Sequence, residues 1–192
     1  PRMDLDFPEP LRSVLRQAAD VILLGEIRDP LTASIAVRAA NSGQLVLSTL
    51  HAPTAAGAVD TMLALGVHSH FLSTCLLGAV NQRLLHTLCE NCKVAIETAD
   101  ARQALKDVQR WLPPGQGERI YSAPGCEQCY QQGHAQRTGV FEVLHVTRDI
   151  RHLILEERPP SEIHDKAVEQ GMLDLRCSAL LKVAEGITSN EE

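Results

Sequence analysis

The sequence predicts an α/β protein built on a parallel sheet, joined to a small cysteine-rich module and a helical C-terminal region. Three observations carry this. Two apolar runs, Val21–Leu24 and Leu45–Leu47, each end in polar residues and are each followed by a helical pattern. Strand-helix units in series imply parallel strands joined by right-handed crossovers. Two Cys-x-x-Cys pairs, Cys89 with Cys92 and Cys126 with Cys129, enclose a stretch of turns and scattered charge. From Arg148 onward, apolar residues recur at helical spacing in three short blocks.

The bulk properties narrow the function. With 192 residues, 44% of them apolar, the chain can bury a real core and fits one domain or one and a half. A formal net charge of -6 and a pI near 5.7 argue against a general phosphate-backbone binder, which needs a cationic surface, so no nucleic-acid partner is expected. No apolar run is long enough to cross a bilayer, and the N-terminus lacks a basic stretch followed by an apolar one. A cytoplasmic protein is expected.

Element by element, Leu11, Val14, Leu15 and Ala18 predict a short helix from Pro8 to Ala19 leading into the Val21 strand. That strand has four aliphatic residues in a row, the pattern of a strand covered on both faces. Asp29-Pro30 is a helix start, with Leu31, Ile35 and Ala39 inward until Gly43. The second strand runs through Leu45, Val46 and Leu47, and its helix from about Thr54 to Leu65. A further helix is expected from Ser69 to about Ala79 with Phe71, Leu72, Cys75, Leu76 and Ala79 inward, and "RLLHTL" returns as a strand. The last three helices are placed near 150–157, 161–170 and 173–185, and Ser189 with the acids after it reads as the cap of another. The expected division is a core over 1–88, a module over 89–139 and a helical region over 140–192.

In parallel sheets ligands bind beyond the carboxyl ends of the strands. Glu26 stands there, suited either to orienting water or a metal beside a phosphate, or to a plain turn pairing with Arg28. Ser48, Thr49 and His51 in "STLH" stand at the matching end of the second strand. His51 reads either as a phosphate sensor or as a hydrogen-bonded structural residue.

Cys89, Cys92, Cys126 and Cys129 have the arrangement of a structural, tetrahedral zinc site, closed to catalysis; disulfides are the alternative. Cys75 and Cys177 lie on apolar helix faces and read as core residues. His68 and His70 read as a solvated helix entry, and Arg83, His134 and Arg137 as offering no organised patch.

The run from Leu11 to Met62, with both cysteine pairs, "RTGVFEVL" at 137–144 and the "GITSNEE" end, resembles the secretion ATPase superfamily that drives type II secretion and type IV pilus assembly. The resemblance implies the C-terminal part of a RecA-like ATPase domain with a zinc-binding insertion. By it, Gly25-Glu26 is an atypical Walker B motif with Glu26 catalytic, and His51 is the nucleotide-linked histidine of the His box, Thr49 beside it. Arg12 and Arg16 would reach nucleotide phosphate or a neighbouring subunit. ATP and Mg would be the cofactors beside zinc, inner-membrane platform proteins the partners, and a homo-hexamer peripherally associated with the inner membrane the working form. The zinc module favours the assembly branch over the retraction branch.

The family's P-loop, GxxxxGK[ST], occurs nowhere in these 192 residues, so a C-terminal fragment unable to hydrolyse ATP alone is expected. Ala18-Ala19-Asp20, Gln44 and "HAPT" depart from the family's usual residues without removing a motif carboxylate or histidine. A silent zinc-stabilised module docking on a secretion platform is the second reading. A nucleic-acid-binding zinc ribbon is the third.

Overall fold

The computed structural model describes residues 19–96 and 103–192. Arg12, Arg16 and all of the first expected helix but Ala19 lie outside them. The chain divides into two compact units, one of Pro1–Val80 with Val143–Met172, the other of Asn81–Glu142 with Leu173–Glu192.

In the first unit, β1 (Val21–Leu24) pairs in parallel with β2 (Leu45–Ser48), Val21 opposite Leu45 and Leu24 opposite Ser48. Between them runs α1 (Pro30–Asn41), whose start is fixed by Asp29: its carboxylate accepts the Thr32 N–H at 2.8 Å and the Thr32 hydroxyl at 2.6 Å. Pro30 at the first helical position has no N–H to lose. After β2, Thr54 caps α2 (Ala55–Ala64) by accepting the Gly57 N–H at 2.9 Å. Then follow α3 (Ser69–Cys75), α4 (Arg148–Leu155) and α5 (Pro160–Glu169). α3 packs on α1 and α4, and α5 on α2 and α4, around Ala33, Val59, Leu72, Leu144, Ile150, Ile154 and Ile163.

Three expectations for this unit are corrected. β1 is covered on one face only: Ile22 and Leu24 are 5% exposed, whereas Val21 is 54% and Leu23 78% exposed. Leu45 and Leu47 of β2 share that open row. Strand side chains alternate between faces, and among the described residues the helices cover only one of them. On α1 the inward face is Thr32, Ala33, Ile35, Ala36, Val37 and Ala39, while Leu31, in the first turn, points out. The helix from Ser69 ends at Cys75 because Leu76 turns extended; Phe71 is exposed and Ala79 belongs to the following strand.

β3 (Gly78–Leu88) pairs with β6 (His134–His145). In the second unit β4 (Val94–Ile96) is antiparallel to β5 (Ile120–Ser122), against which α6 (Leu175–Ala184) packs. A separate core of Leu105, Val108, Leu180, Val183 and Ala184 gathers Trp111 and Ile120. The three helices beyond Arg148 fall within about two residues of their expected places, α4 and α5 in the first unit and α6 in the second. No helix starts at Ser189. Instead the Leu88 N–H donates to the Ile187 carbonyl at 2.9 Å and the Thr188 hydroxyl to the His86 carbonyl at 2.7 Å, so the segment is held by β3. No helix among the described residues is long and apolar enough to cross a membrane.

Candidate functional sites

The parallel register carries the chain out of β1 and β2 side by side. Beyond Leu24 and Ser48 the ladder is extended by two bonds, from the Ile27 N–H to the Thr49 carbonyl at 2.9 Å and from the Thr49 hydroxyl to the Gly25 carbonyl at 2.7 Å. Gly25 leaves open space where a side chain would begin. Held this way, Glu26 and His51 converge, with His51 Nε2 3.0 Å from Glu26 Oε1. That carboxylate oxygen is buried and has no hydrogen-bond partner, so the imidazole is near it without the alignment of a bond. The other oxygen, Oε2, is in a close ion pair with Arg28.

The bonded Arg28 guanidinium holds the Glu26 carboxyl below its ordinary range against a smaller opposing effect of burial, and the charges of Arg28 and His51 add to it. Glu26 is therefore ionised at neutral pH. It is a weak proton acceptor suited to orienting a water or facing a cation. The turn pairing with Arg28 and the meeting with His51 are both present, on different oxygens. His51 itself is 92% exposed in its side chain, available to a ligand beyond the strand ends. Thr49 spends its hydroxyl on Gly25 and acts as a positioning residue.

In the second unit each Cys-x-x-Cys forms a knuckle. The Cys92 and Lys93 N–H groups donate to the Cys89 carbonyl at 3.3 and 2.9 Å, and those of Cys129 and Gln131 to the Cys126 carbonyl at 3.2 and 2.9 Å. The four sulfurs lie within 4.8 Å of one another. The sulfurs stand 3.9 Å apart for Cys89 and Cys126, 3.9 Å for Cys92 and Cys129 and 3.7 Å for Cys126 and Cys129. Four thiolates at about 2.3 Å from a tetrahedral zinc stand about 3.8 Å apart, so the donor set fits that ion.

The Cys129 sulfur accepts the Cys126 N–H at 3.1 Å and the Gly133 N–H at 3.3 Å. Burial pushes this thiol up, but the two N–H groups with the Cys126 and Cys92 sulfurs outweigh it and bring it down to about 6. Cys92 is pushed up to about 12, chiefly by burial, against an opposing hydrogen bond from the Gly125 backbone and with its three sulfur neighbours adding to the rise. One negative charge in the cluster makes the next costly, and a dication removes that cost. Gly133 was not singled out by its sequence. At φ 72° it lets the backbone approach Ala123, whose carbonyl oxygen would lie 2.2 Å from an added Cβ. Cys75 and Cys177 pack against the two apolar cores, as their helix faces suggested, and burial pushes both thiols up, Cys177 to about 11. His68 accepts the His70 N–H at the entry to α3, at 3.2 Å, and both side chains are exposed.

The first unit is thus a parallel strand-helix α/β core with an ionised carboxylate and an imidazole at its strand ends, and the second carries a four-cysteine candidate metal module. A family profile described as "Type II/IV secretion system protein" matches residues 1–192, and the chain belongs to that family. It is 40% identical to the "Type II secretion system ATPase E" of Vibrio cholerae serotype O1 over 192 residues, all of this chain and 37% of that protein. It is 39% identical to the "Type IV pilus assembly ATPase PilB" of Thermus thermophilus over 192 residues, again all of this chain and 21% of that protein. The chain thus spans well under half of these relatives. The fold is similar to that of the Legionella pneumophila ATPase DotB, with a TM-score of 0.65 at 23% identity, over all of this chain and 42% of DotB.

Proposed function

We propose that this chain supplies the strand-end catalytic residues and a zinc-stapled module to an ATPase motor of type II secretion or type IV pilus assembly. The observation that carries this reading is the convergence of Glu26 and His51, 3.0 Å apart, from the ends of two adjacent parallel strands. Glu26, kept ionised by Arg28, would orient the attacking water by accepting its hydrogen bond and would supply negative charge toward the nucleotide's magnesium. His51, beside Glu26 and largely exposed, is placed to touch the terminal phosphate. Gly25 and Thr49 hold the two strand ends together.

The residues present fit one side of a nucleotide. A phosphate cradle of glycine N–H groups and a lysine is supplied elsewhere, since no GxxxxGK[ST] occurs here. Arg12 and Arg16 add positive charge toward the nucleotide phosphates or a neighbouring subunit. Cys89, Cys92, Cys126 and Cys129 hold a structural zinc that stiffens the module and leaves no open position for catalysis. In the whole protein the motor is a hexamer at the cytoplasmic face of the inner membrane, acting on a platform of membrane proteins. The division 1–88, 89–139 and 140–192 separates catalytic, metal-binding and helical functions in that reading.

The test is to join this chain to the P-loop-bearing segment of its own protein and measure ATP turnover. Hydrolysis is expected to appear with the segment and to fall about 10²- to 10³-fold in Glu26→Gln, with nucleotide binding retained. Turnover unchanged by that substitution overturns the reading. The four-cysteine cluster also favours a second reading, a zinc-stabilised module that docks on the secretion platform; platform binding without turnover in the joined protein supports it.

A further inference from the structure

A pair of histidines far apart in sequence is brought together in the second unit, and the function proposed above makes no use of it. His86 lies on β3 and His134 opens β6. Their rings are tilted by 54° with centroids 5.5 Å apart. Both rings have one nitrogen committed. His86 Nδ1 is 2.8 Å from Glu192 Oε1, and His134 Nδ1 is 3.0 Å from the Gln132 carbonyl. A carbonyl or carboxylate oxygen only accepts, so each Nδ1 carries the ring's proton. The neutral rings therefore share one tautomer, with the lone pair on Nε2.

His134 Nε2 is buried and has no hydrogen-bond partner. A bare, desolvated lone pair is costly and calls for a physical reason. Metal-ligating histidines have this form: one nitrogen donates to a carboxylate or carbonyl, which fixes the tautomer and strengthens the other as a ligand. Two imidazoles on one tetrahedral ion, each at about 2.0–2.1 Å through nitrogen, have their centroids about 5–6 Å apart. The observed spacing lies in that range. A cavity of about 350 Å³ lined by His86, Gln132, His134, Gln136 and Arg137 adjoins the pair and leaves room for water ligands.

We propose that His86 and His134 form a second metal site, separate from the four cysteines, for a divalent ion of the imidazole-binding class such as Zn²⁺ or Co²⁺, with Glu192 and the Gln132 carbonyl as the partners that orient the two rings. Nitrogen donors exclude Mg²⁺ and Ca²⁺, which take oxygen. The Glu192 carboxylate also accepts the His86 N–H at 3.1 Å, so ion binding would reinforce the hold of β3 on the Ile187–Glu192 segment. The site is labile, since two protein ligands leave the remaining positions to water.

The test is calorimetric titration of the full chain with Zn²⁺ alone, after elemental analysis fixes how many ions it already carries. One further ion is expected to bind, at least about 10-fold more weakly in His134→Gln and about 10- to 100-fold more weakly in Glu192→Gln, which keeps both rings. Both variants should keep the tightly held ion. Co²⁺ separates the two metal readings: in the cysteine cluster it shows thiolate-to-metal charge transfer, and at the histidines it binds without that band. Absence of a further ion in the unsubstituted chain overturns the proposal, as does one that both variants bind unchanged. If His134→Gln does not fold, Glu192→Gln decides.

Discussion

The strand-end site and the cysteine knuckles are built by opposite means. At the knuckles all four donors, the backbone N–H groups that bond the Cys129 sulfur and the glycine that lets the backbone approach Ala123 lie in one compact unit. At the strand ends, Glu26 and His51 meet through a two-stranded sheet whose other face shows Val21, Leu23, Leu45 and Leu47. The residues that would bind a phosphate by backbone are not among them. One site is complete in itself and the other presents a surface. Within each knuckle the geometry comes from short-range turns, and the two knuckles, 37 residues apart, still meet sulfur to sulfur, whereas the second site depends wholly on strands whose paired residues are 24 positions apart staying in register.

The largest test of that contrast is metal removal. A chelator should strip one tightly held ion per chain and lower the melting temperature of the second unit by well over about 10 °C, because in small metal domains binding free energy is folding free energy. Circular dichroism with elemental analysis reads both. The pH dependence has a definite sign. Ligands must be thiolates, so protons compete and affinity falls as pH falls. Cys129, at about 6, is already charged at neutral pH, whereas Cys92, at about 12, must give up a proton to bind. Proton release on loading should therefore persist through neutral pH, and affinity should fall more steeply below about pH 6. A pH-independent affinity would refute the assignment.

The converse test leaves the metal alone. Ile150, fully buried beside Leu72, Leu144 and Ile154 in the first unit, should cost about 2–5 kcal/mol when cut to Ala, by lost transfer energy and the cavity left behind. Urea unfolding should show that loss while the zinc content stays at its original value. Loss of zinc in Ile150→Ala would show that the knuckles are not self-sufficient. A smaller effect is expected at Gly133, where φ is 72° and the Ala123 carbonyl crowds an added Cβ. Gly133→Ala should cost about 1–3 kcal/mol from backbone strain and weaken zinc retention, whereas the same change at Gly25, which has open space, should leave zinc untouched.

How much of this was legible in the sequence follows from range. The helix starts at Asp29 and Thr54 were legible because a cap is a contact three residues long. The four cysteines were legible because a knuckle fixes its own spacing, and only one ion is needed to join two of them. Glu26 and His51 were placed at strand ends by pattern, but that they meet depends on parallel register, which a run of aliphatic residues does not encode. The one-sided burial of β1 is not legible for a related reason: four aliphatic residues in a row state that both faces are apolar, not which are covered by this chain. The meeting of His86 with His134 was invisible, since 48 positions separate them and only the β3 to β6 pairing closes the gap. In the sequence His134 is one of several scattered basic residues, and it gains its histidine neighbour only through that pairing.

The smallest expected effect sharpens the account of the strand-end site. Arg28 is 75% exposed, and exposed ion pairs contribute little to stability, so Arg28→Ala should leave the melting temperature nearly unchanged. Its consequence should appear in the titration of Glu26. The folded-state pKa of Glu26 is depressed, so the pair's contribution is present above the ordinary carboxylate value and is lost as pH falls through the folded value. Removing Arg28 should raise the Glu26 midpoint towards the ordinary range, as read by carboxyl NMR. An unmoved midpoint would mean that His51 and the strand-end backbone, not Arg28, set the charge. A raised midpoint with unchanged stability would assign Arg28 to tuning the carboxylate, which separates the chemistry of this site from the folding of the unit that holds it.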